Sequence, residues 1–255
     1  MVEIWSFVPV LAGPAVGSFL GVVISRYPHA SVLIPARSHC DACGTVLTGR
    51  DLVPLASWAA LGGRCRHCRA PISLLNPLIE LIATILALAA VLVLPYPLSW
   101  FACLLGWTLL ALAVIDIRHL EVPDFLSLPL IPAGLAAAWT VDPELAPVHA
   151  AAAVAGGGLI WLIGALYHRW RGRAGIGDGD IRLFAVAGAW VGPAGLPAVL
   201  LLAGLFGLVA AAVLAGLRAR YPLDRIPFVP ALGAAIWLVF LSPDILFLLP
   251  EWFSP

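Results

Sequence analysis

Long apolar runs separated by short polar turns recur along this chain from Ile4 to near Pro250. A bilayer core of about 30 Å takes about 20 apolar residues per helix. Runs near 4–25, 77–95, 98–115, 125–141, 150–167, 183–197, 198–217 and 228–249 therefore predict an all-α polytopic membrane protein of about eight transmembrane helices. The sixth and seventh share one apolar stretch, which the pattern divides around Pro193 and Gly195–Pro197, because proline breaks a helix. The first run has no basic stretch before it and is followed at once by Arg26, which reads as a retained span rather than an export signal.

Composition supports lipid as the solvent. Of 255 residues, 62% are hydrophobic and only 11% charged, against about 25% charged in soluble domains; mean hydropathy is +1.02. Net charge is zero, so no global basic field points to nucleic acid. The 14 basic residues are all arginine, and basic residues stay on the cytoplasmic side. An eight-helix chain with both termini outside places all of them inward: Arg26, Arg37, Arg50, Arg64, Arg66 and Arg69 after the first span, Arg118 at the next inner turn, Arg169 to Arg182 after the fifth, and Arg218, Arg220 and Arg225 after the seventh. A seven-helix chain would put the last cluster outside.

Two inward segments stand out as polar, the loop from Arg26 to Asn76 and the Gly-rich stretch from Arg169 to Asp180. Loops of this kind carry function more often than the helices that hold them. The first contains Cys40-Asp41-Ala42-Cys43, then 21 residues, then Cys65-Arg66-His67-Cys68, two CxxC knuckles at zinc-ribbon spacing. Four thiolates close a tetrahedral shell around Zn²⁺, leaving no position for a catalytic water, so a structural metal is expected on Cys40, Cys43, Cys65 and Cys68. A pair of disulfides is the alternative, though rare in a reducing compartment. His39 and His67 are expected at the surface, and Cys103 as an ordinary buried side chain.

Acidic residues near membrane depth mark candidate sites. Asp116 ends the third apolar run, and Asp180 closes Gly175-Ile176-Gly177-Asp178-Gly179-Asp180 at the entry to another. Two carboxyls at the edge of a low-dielectric bundle do not both ionise easily, so one keeps a proton while the other activates water, the chemistry of an aspartyl protease. The glycines suggest a backbone that an extended peptide approaches closely. The alternative is that these acids pair with Arg118 and Arg182 at the interface.

At these residues the chain resembles the bacterial type IV prepilin peptidases, GxGD-type aspartyl peptidases. The resemblance rests on Gly17-Ser18-Phe19-Leu20, the four-cysteine loop, Pro71-Ile72-Ser73, Pro77-Leu78-Ile79-Glu80, Asp116 with Pro123-Asp124, Gly177-Asp178-Gly179-Asp180-Ile181-Arg182-Leu183 and Ile226-Pro227-Phe228. It implies Asp116 and Asp180 as the catalytic pair, with Asp178 a neighbour and Asp124 structural or substrate-facing. It also implies prepilin or type II secretion pseudopilin substrates, cleavage at the cytoplasmic face of the bacterial inner membrane, and N-methylation of the new N-terminus with S-adenosylmethionine. On this basis residues 1–97, with the zinc loop at about 26–76, form a methyltransferase region, and 98–255 the peptidase domain. Departures from the family pattern are Gly21 for asparagine, Asn76 for tyrosine, Arg182 for lysine and Val229 for glycine. The first two fall in the methyltransferase region and bear on methylation, not on the aspartates. Readings to set beside this are a peptidase alone, an intramembrane protease of another GxGD group, and a non-enzymatic transporter or assembly scaffold with a zinc ribbon.

Overall fold

The computed structural model describes residues 7–28, 38–173, 175–216 and 226–242. Arg37, Arg218, Arg220 and Arg225 lie outside them, as do the ends of the first and last predicted runs. Among the described residues the regular structure is helical: α1 (Val8–Arg26), α2 (Ala56–Ala60), α3 (Leu75–Val93), α4 (Leu98–His119), α5 (Asp124–Ser127), α6 (Leu130–Val141), α7 (Leu145–Arg171), α8 (Asp178–Gly216) and α9 (Val229–Leu241). Six stretches are long and apolar enough to cross a membrane, with α5 and α6 together making one; α9 is a shorter apolar helix. The chain is thus an all-α, multi-pass membrane protein, and its outward faces keep large apolar side chains such as Leu92, Val154 and Leu208 exposed, as lipid contact requires.

The chain divides into two compact units, Met1–Leu92 and Val93–Pro255. In the first, α1 and α3 pack through Gly13, Gly17 and Gly21, spaced four residues apart. A Cβ at Gly13 would come 2.8 Å from the Thr84 Cα, and one at Gly17 only 2.5 Å from the Glu80 Cα. Small residues at this spacing let two backbones touch, which replaces the absent hydrophobic drive between helices in lipid.

In the second unit, Leu105, Leu109 and Leu112 of α4 pack with Leu183, Val186 and Trp190 of α8 and with Leu232 and Ile236 of α9 in one core. Trp190 is its hub. Its indole N–H donates to the Leu130 carbonyl at 2.7 Å, and its ring meets Phe101 and Phe240 edge-on at centroid distances of 6.4 and 5.1 Å. The Trp237 indole N–H donates to the Ala102 carbonyl at 3.1 Å, beside Gly106, where no Cβ would fit.

The break in the long apolar stretch falls at Gly192, one residue before Pro193, and not at Gly195–Pro197. Gly192 has φ +64° and ψ −174°. Proline forces an extended ψ on the residue before it, and only glycine combines that with a positive φ. The consequence is a reversal. Phe184 and Leu196 both touch the position of Gly156 on α7, although twelve residues of straight helix would hold them about 18 Å apart. α8 is therefore two limbs folded back on each other.

Candidate active site and metal centre

Asp116 lies in the last turn of α4, which ends where Leu120 adopts a left-handed conformation and its N–H donates to the Asp116 carbonyl at 2.9 Å. The Asp116 side chain is buried, at 6% exposure. Its Oδ2 accepts the Val229 backbone N–H at 3.0 Å. Val229 is the first residue of α9, and the first N–H groups of a helix have no partner within it. A helix start is thus spent on Asp116, where its dipole also complements an anion. Ile226-Pro227-Phe228 delivers the chain to this point. The sequence flagged that tripeptide without a role, and what it positions is a backbone donor that no side-chain pattern encodes.

Asp180 belongs to the first turn of α8, and its carboxyl lies close enough to that of Asp116 for their charges to act on one another. Its N–H donates to the Gly177 carbonyl at 3.1 Å. Asp178 is exposed. Two glycines of the motif are packed against the protein itself, while Gly177 is exposed and a Cβ there would meet only the Asp180 carboxylate, at 3.5 Å. A Cβ at Gly179 would lie 2.4 Å from Cγ2 of Val122, and one at Gly175 would lie 2.5 Å from the Tyr167 ring. Those faces are filled by the protein's own side chains. The glycines seat the loop against the turn after α4 and against α7, and so set where Asp180 stands.

The alternative pairing of the acids with Arg182 takes a different form here. The Arg182 guanidinium forms an ion pair with exposed Asp124 and donates to the Val122 carbonyl at 3.2 Å. With Arg182, Asp124 ties the turn after α4 to the start of α8, the two segments that carry Asp116 and Asp180.

In the first unit, the four thiols of Cys40, Cys43, Cys65 and Cys68 all lie within 4.8 Å of one another, with Cys40 and Cys68 sulfurs 3.8 Å apart. A tetrahedral shell at the usual Zn–S distance of about 2.3 Å has sulfur separations of about 3.8 Å. The two knuckles are built alike. The Cys40 N–H donates to the Thr45 carbonyl and the Gly44 N–H to the Cys40 carbonyl; likewise the Cys65 N–H donates to Ala70 and the Arg69 N–H to Cys65. Each turn closes on a left-handed residue, Gly44 at φ +68° and Arg69 at φ +62°. The first is a natural glycine, while the second is carried by an arginine against its preference.

The thiols do not titrate alike. Hydrogen bonding with the Thr45 side chain and backbone brings Cys43 down to about 6. Cys68, despite a hydrogen bond from the Ala70 amide, is pushed up to about 11 by desolvation and by its neighbouring thiols. Such a cage sheds its remaining protons only against a cation, and the sulfur set and spacing fit a divalent, thiophilic metal. His39 and His67 are exposed, and Cys103 is buried in α4.

The loop between the knuckles has its own supports. Asp51 accepts from the Thr48 hydroxyl and amide at 2.7 and 3.1 Å and pairs with the Arg66 Nε at 2.7 Å. Thr48 and Arg66 hold its carboxyl down at about 2. Glu80 of α3, 7% exposed, accepts the Leu55 N–H on Oε2 at 2.7 Å and so holds the loop to the helix. The two departures of the N-terminal third face one another: a Cβ at Gly21 would come 3.3 Å from the Asn76 carboxamide oxygen. Glycine at position 21 thus leaves room on α1 for the Asn76 carboxamide of α3.

Comparison with known proteins gives a concordant picture. A family model described as Bacterial Peptidase A24 N-terminal domain matches residues 11–94, and that of the Type IV leader peptidase family matches residues 103–212. The chain is 35% identical to a prepilin leader peptidase/N-methyltransferase of Aeromonas hydrophila, over 90% of this chain and 88% of the relative. It is 36% identical to a type 4 prepilin-like proteins leader peptide-processing enzyme of Escherichia coli, over 88% and 90%. It is 33% identical to a prepilin leader peptidase/N-methyltransferase of Pseudomonas aeruginosa, over 92% and 89%. No solved structure matches it.

Proposed function

Because the chain belongs to the type IV leader peptidase family, we propose that it removes the leader from prepilins or type II secretion pseudopilins, with Asp116 and Asp180 as the catalytic pair, and then methylates the new N-terminus from S-adenosylmethionine. The observation that carries the peptidase assignment is that two carboxyls from segments far apart in sequence lie within electrostatic range of one another, that of Asp116 accepting the N–H of Val229. A shared site of this kind holds one proton between two acids. One carboxylate draws a proton from water as it attacks the scissile carbonyl; the other gives its proton to the carbonyl oxygen and then to the leaving amine. The pair acts as a unit.

Cleavage takes place at the cytoplasmic face of the bacterial inner membrane, an orientation supported by the arginine distribution. Zinc on Cys40, Cys43, Cys65 and Cys68 is structural, since four thiolates complete its shell; it braces the loop of residues 26–76. Residues 1–97 form the methyltransferase region and 98–255 the peptidase domain.

The test is mass spectrometry of a purified prepilin incubated with the enzyme in detergent, with and without S-adenosylmethionine. Leader loss followed by the mass of one methyl group, gained only with the donor, is expected. Leader loss alone would reduce the enzyme to a peptidase, and intact pilins from several sources would refute the reading. Asp116→Asn and Asp180→Asn should each lower cleavage by about 10²–10⁴-fold while keeping insertion and zinc content, and normal cleavage by either variant would remove it from the pair.

A further inference from the structure

The first unit contains a cavity of about 560 Å³, within the range of about 300–1,000 Å³ typical of small-molecule sites. It is lined by α1, α3 and the loop that carries the cysteines, and its wall includes Ser18, Gly21, Trp58, Cys65, Asn76 and Glu80. None of these residues takes part in the aspartate site. The wall combines a carboxylate, a carboxamide, a hydroxyl and an aromatic ring, and the Trp58 indole N–H is buried with no hydrogen-bond partner among the described residues. Glu80 is 7% exposed, and among the described residues the Leu55 amide engages its Oε2 and no donor engages Oε1. A carboxylate so deeply placed on a membrane helix is costly unless it meets a cationic or proton-bearing ligand. The ring of Trp58 adds a surface for a flat heterocycle or a cation.

We propose that this cavity seats the methyl donor S-adenosylmethionine and that Glu80 accepts the proton released by the substrate amine. The proposal rests on the methyltransferase reading above and assigns it a place. The lone pair of the pilin's N-terminal amine forms the new N–C bond as the C–S bond of the sulfonium breaks. The sulfur keeps the bonding pair and leaves as a neutral thioether, and the proton lost by the nitrogen passes to the free Oε1 of Glu80. Asn76, opposite Gly21, offers its carboxamide to the polar part of the donor. Through Cys65 the metal centre shapes the same wall, so the zinc loop serves methylation by holding one side of the cavity.

Two measurements on the full-length enzyme in detergent test this. In the first, direct ultraviolet cross-linking with S-adenosyl[methyl-³H]methionine, followed by peptide mapping, should place label within residues 17–26, 53–66 or 73–80. In the second, Glu80→Gln retains an oxygen to accept the Leu55 N–H but cannot take a proton. It should lower methyl incorporation about 100-fold or more at saturating donor, with leader removal, which uses Asp116 and Asp180, as the control for folding. Should Glu80→Gln fail to fold, Ser18→Leu, which fills the cavity from α1, should abolish labelling in its place. A wild-type enzyme that methylates yet is labelled only in Val93–Pro255, or a Glu80→Gln variant that methylates at the parent rate, would overturn this proposal and leave the methyltransferase reading intact. A wild-type enzyme that yields no methylated pilin would overturn both.

Discussion

The first unit assembles its four thiols from two knuckles of one loop, whereas the second draws its acidic pair from the end of α4 and the start of α8, with a donor from the start of α9. The thiol cage is therefore stabilised by short-range hydrogen bonds repeated in each knuckle. The aspartate site has no such local frame. Its geometry depends on glycine-sized contacts between segments, so a single added methyl reaches it, while the cage is disturbed mainly by removing its own ligands. Polar chemistry in the first unit sits largely in an exposed loop, and in the second at helix ends, where unpaired backbone groups are available at the edge of the apolar bundle.

The strongest way to break this comparison acts on Gly179. Gly179→Val places side-chain carbon where Val122 already stands and should displace Asp180. Because a misplacement of about 1 Å costs about 10²-fold in rate, leader cleavage should fall to that extent. Val122→Ala in the same chain should restore part of it, and the absence of any rescue would separate the glycine's role from this contact.

Replacing a thiol comes next. Cys65→Ser should empty the cage of zinc, measured by metal analysis of the purified protein, and lower methylation. Leader cleavage should persist, because the acidic pair lies in the other unit. Equal loss of both activities would show that the two units do not act separately.

A smaller effect concerns the loop alone. Asp51 has a folded-state value of about 2, below its ordinary 3.8, so its contribution is present above the ordinary value and is lost as pH falls through about 2. Protection of the Thr48 amide against hydrogen exchange should decline between about pH 4 and pH 2. In Asp51→Asn that step should vanish, and its persistence would assign the protection to another group.

The smallest change is expected at Val229, whose backbone rather than side chain serves Asp116. Val229→Gly keeps the N–H and loses a buried side chain, so it should cost about 1.5–3 kcal/mol of stability and leave cleavage in detergent close to that of the parent. A large loss of activity in a stable protein would mean that the side chain itself shapes the site.

Much of this was legible in the order of residues. Apolar runs of membrane-spanning length read directly as helices, and the paired CxxC knuckles announced a metal cage because their ligands lie close in sequence. Asp116 and Asp180 stood out since an acid beside an apolar run needs a reason. The loop glycines were noticed too, and were read as room for a substrate; Val122 and Tyr167 occupy the faces of Gly179 and Gly175, and only Gly177 stays open beside Asp180.

Helix periodicity and the chemistry of local motifs are properties of neighbouring residues, and so composition and spacing alone determined the membrane class, the thiol set and the candidate acids. Reversal at Gly192 was half visible, as a proline and glycine break, but its position came from the need for a positive φ immediately before Pro193. Only the tertiary structure decided that the α9 N-terminus faces Asp116, that Arg182 takes Asp124, that Asn76 covers Gly21 and that Glu80 lines a cavity. Each of these joins groups tens of residues apart, and what joins them is close packing among helices, which fixes distances that no local pattern records.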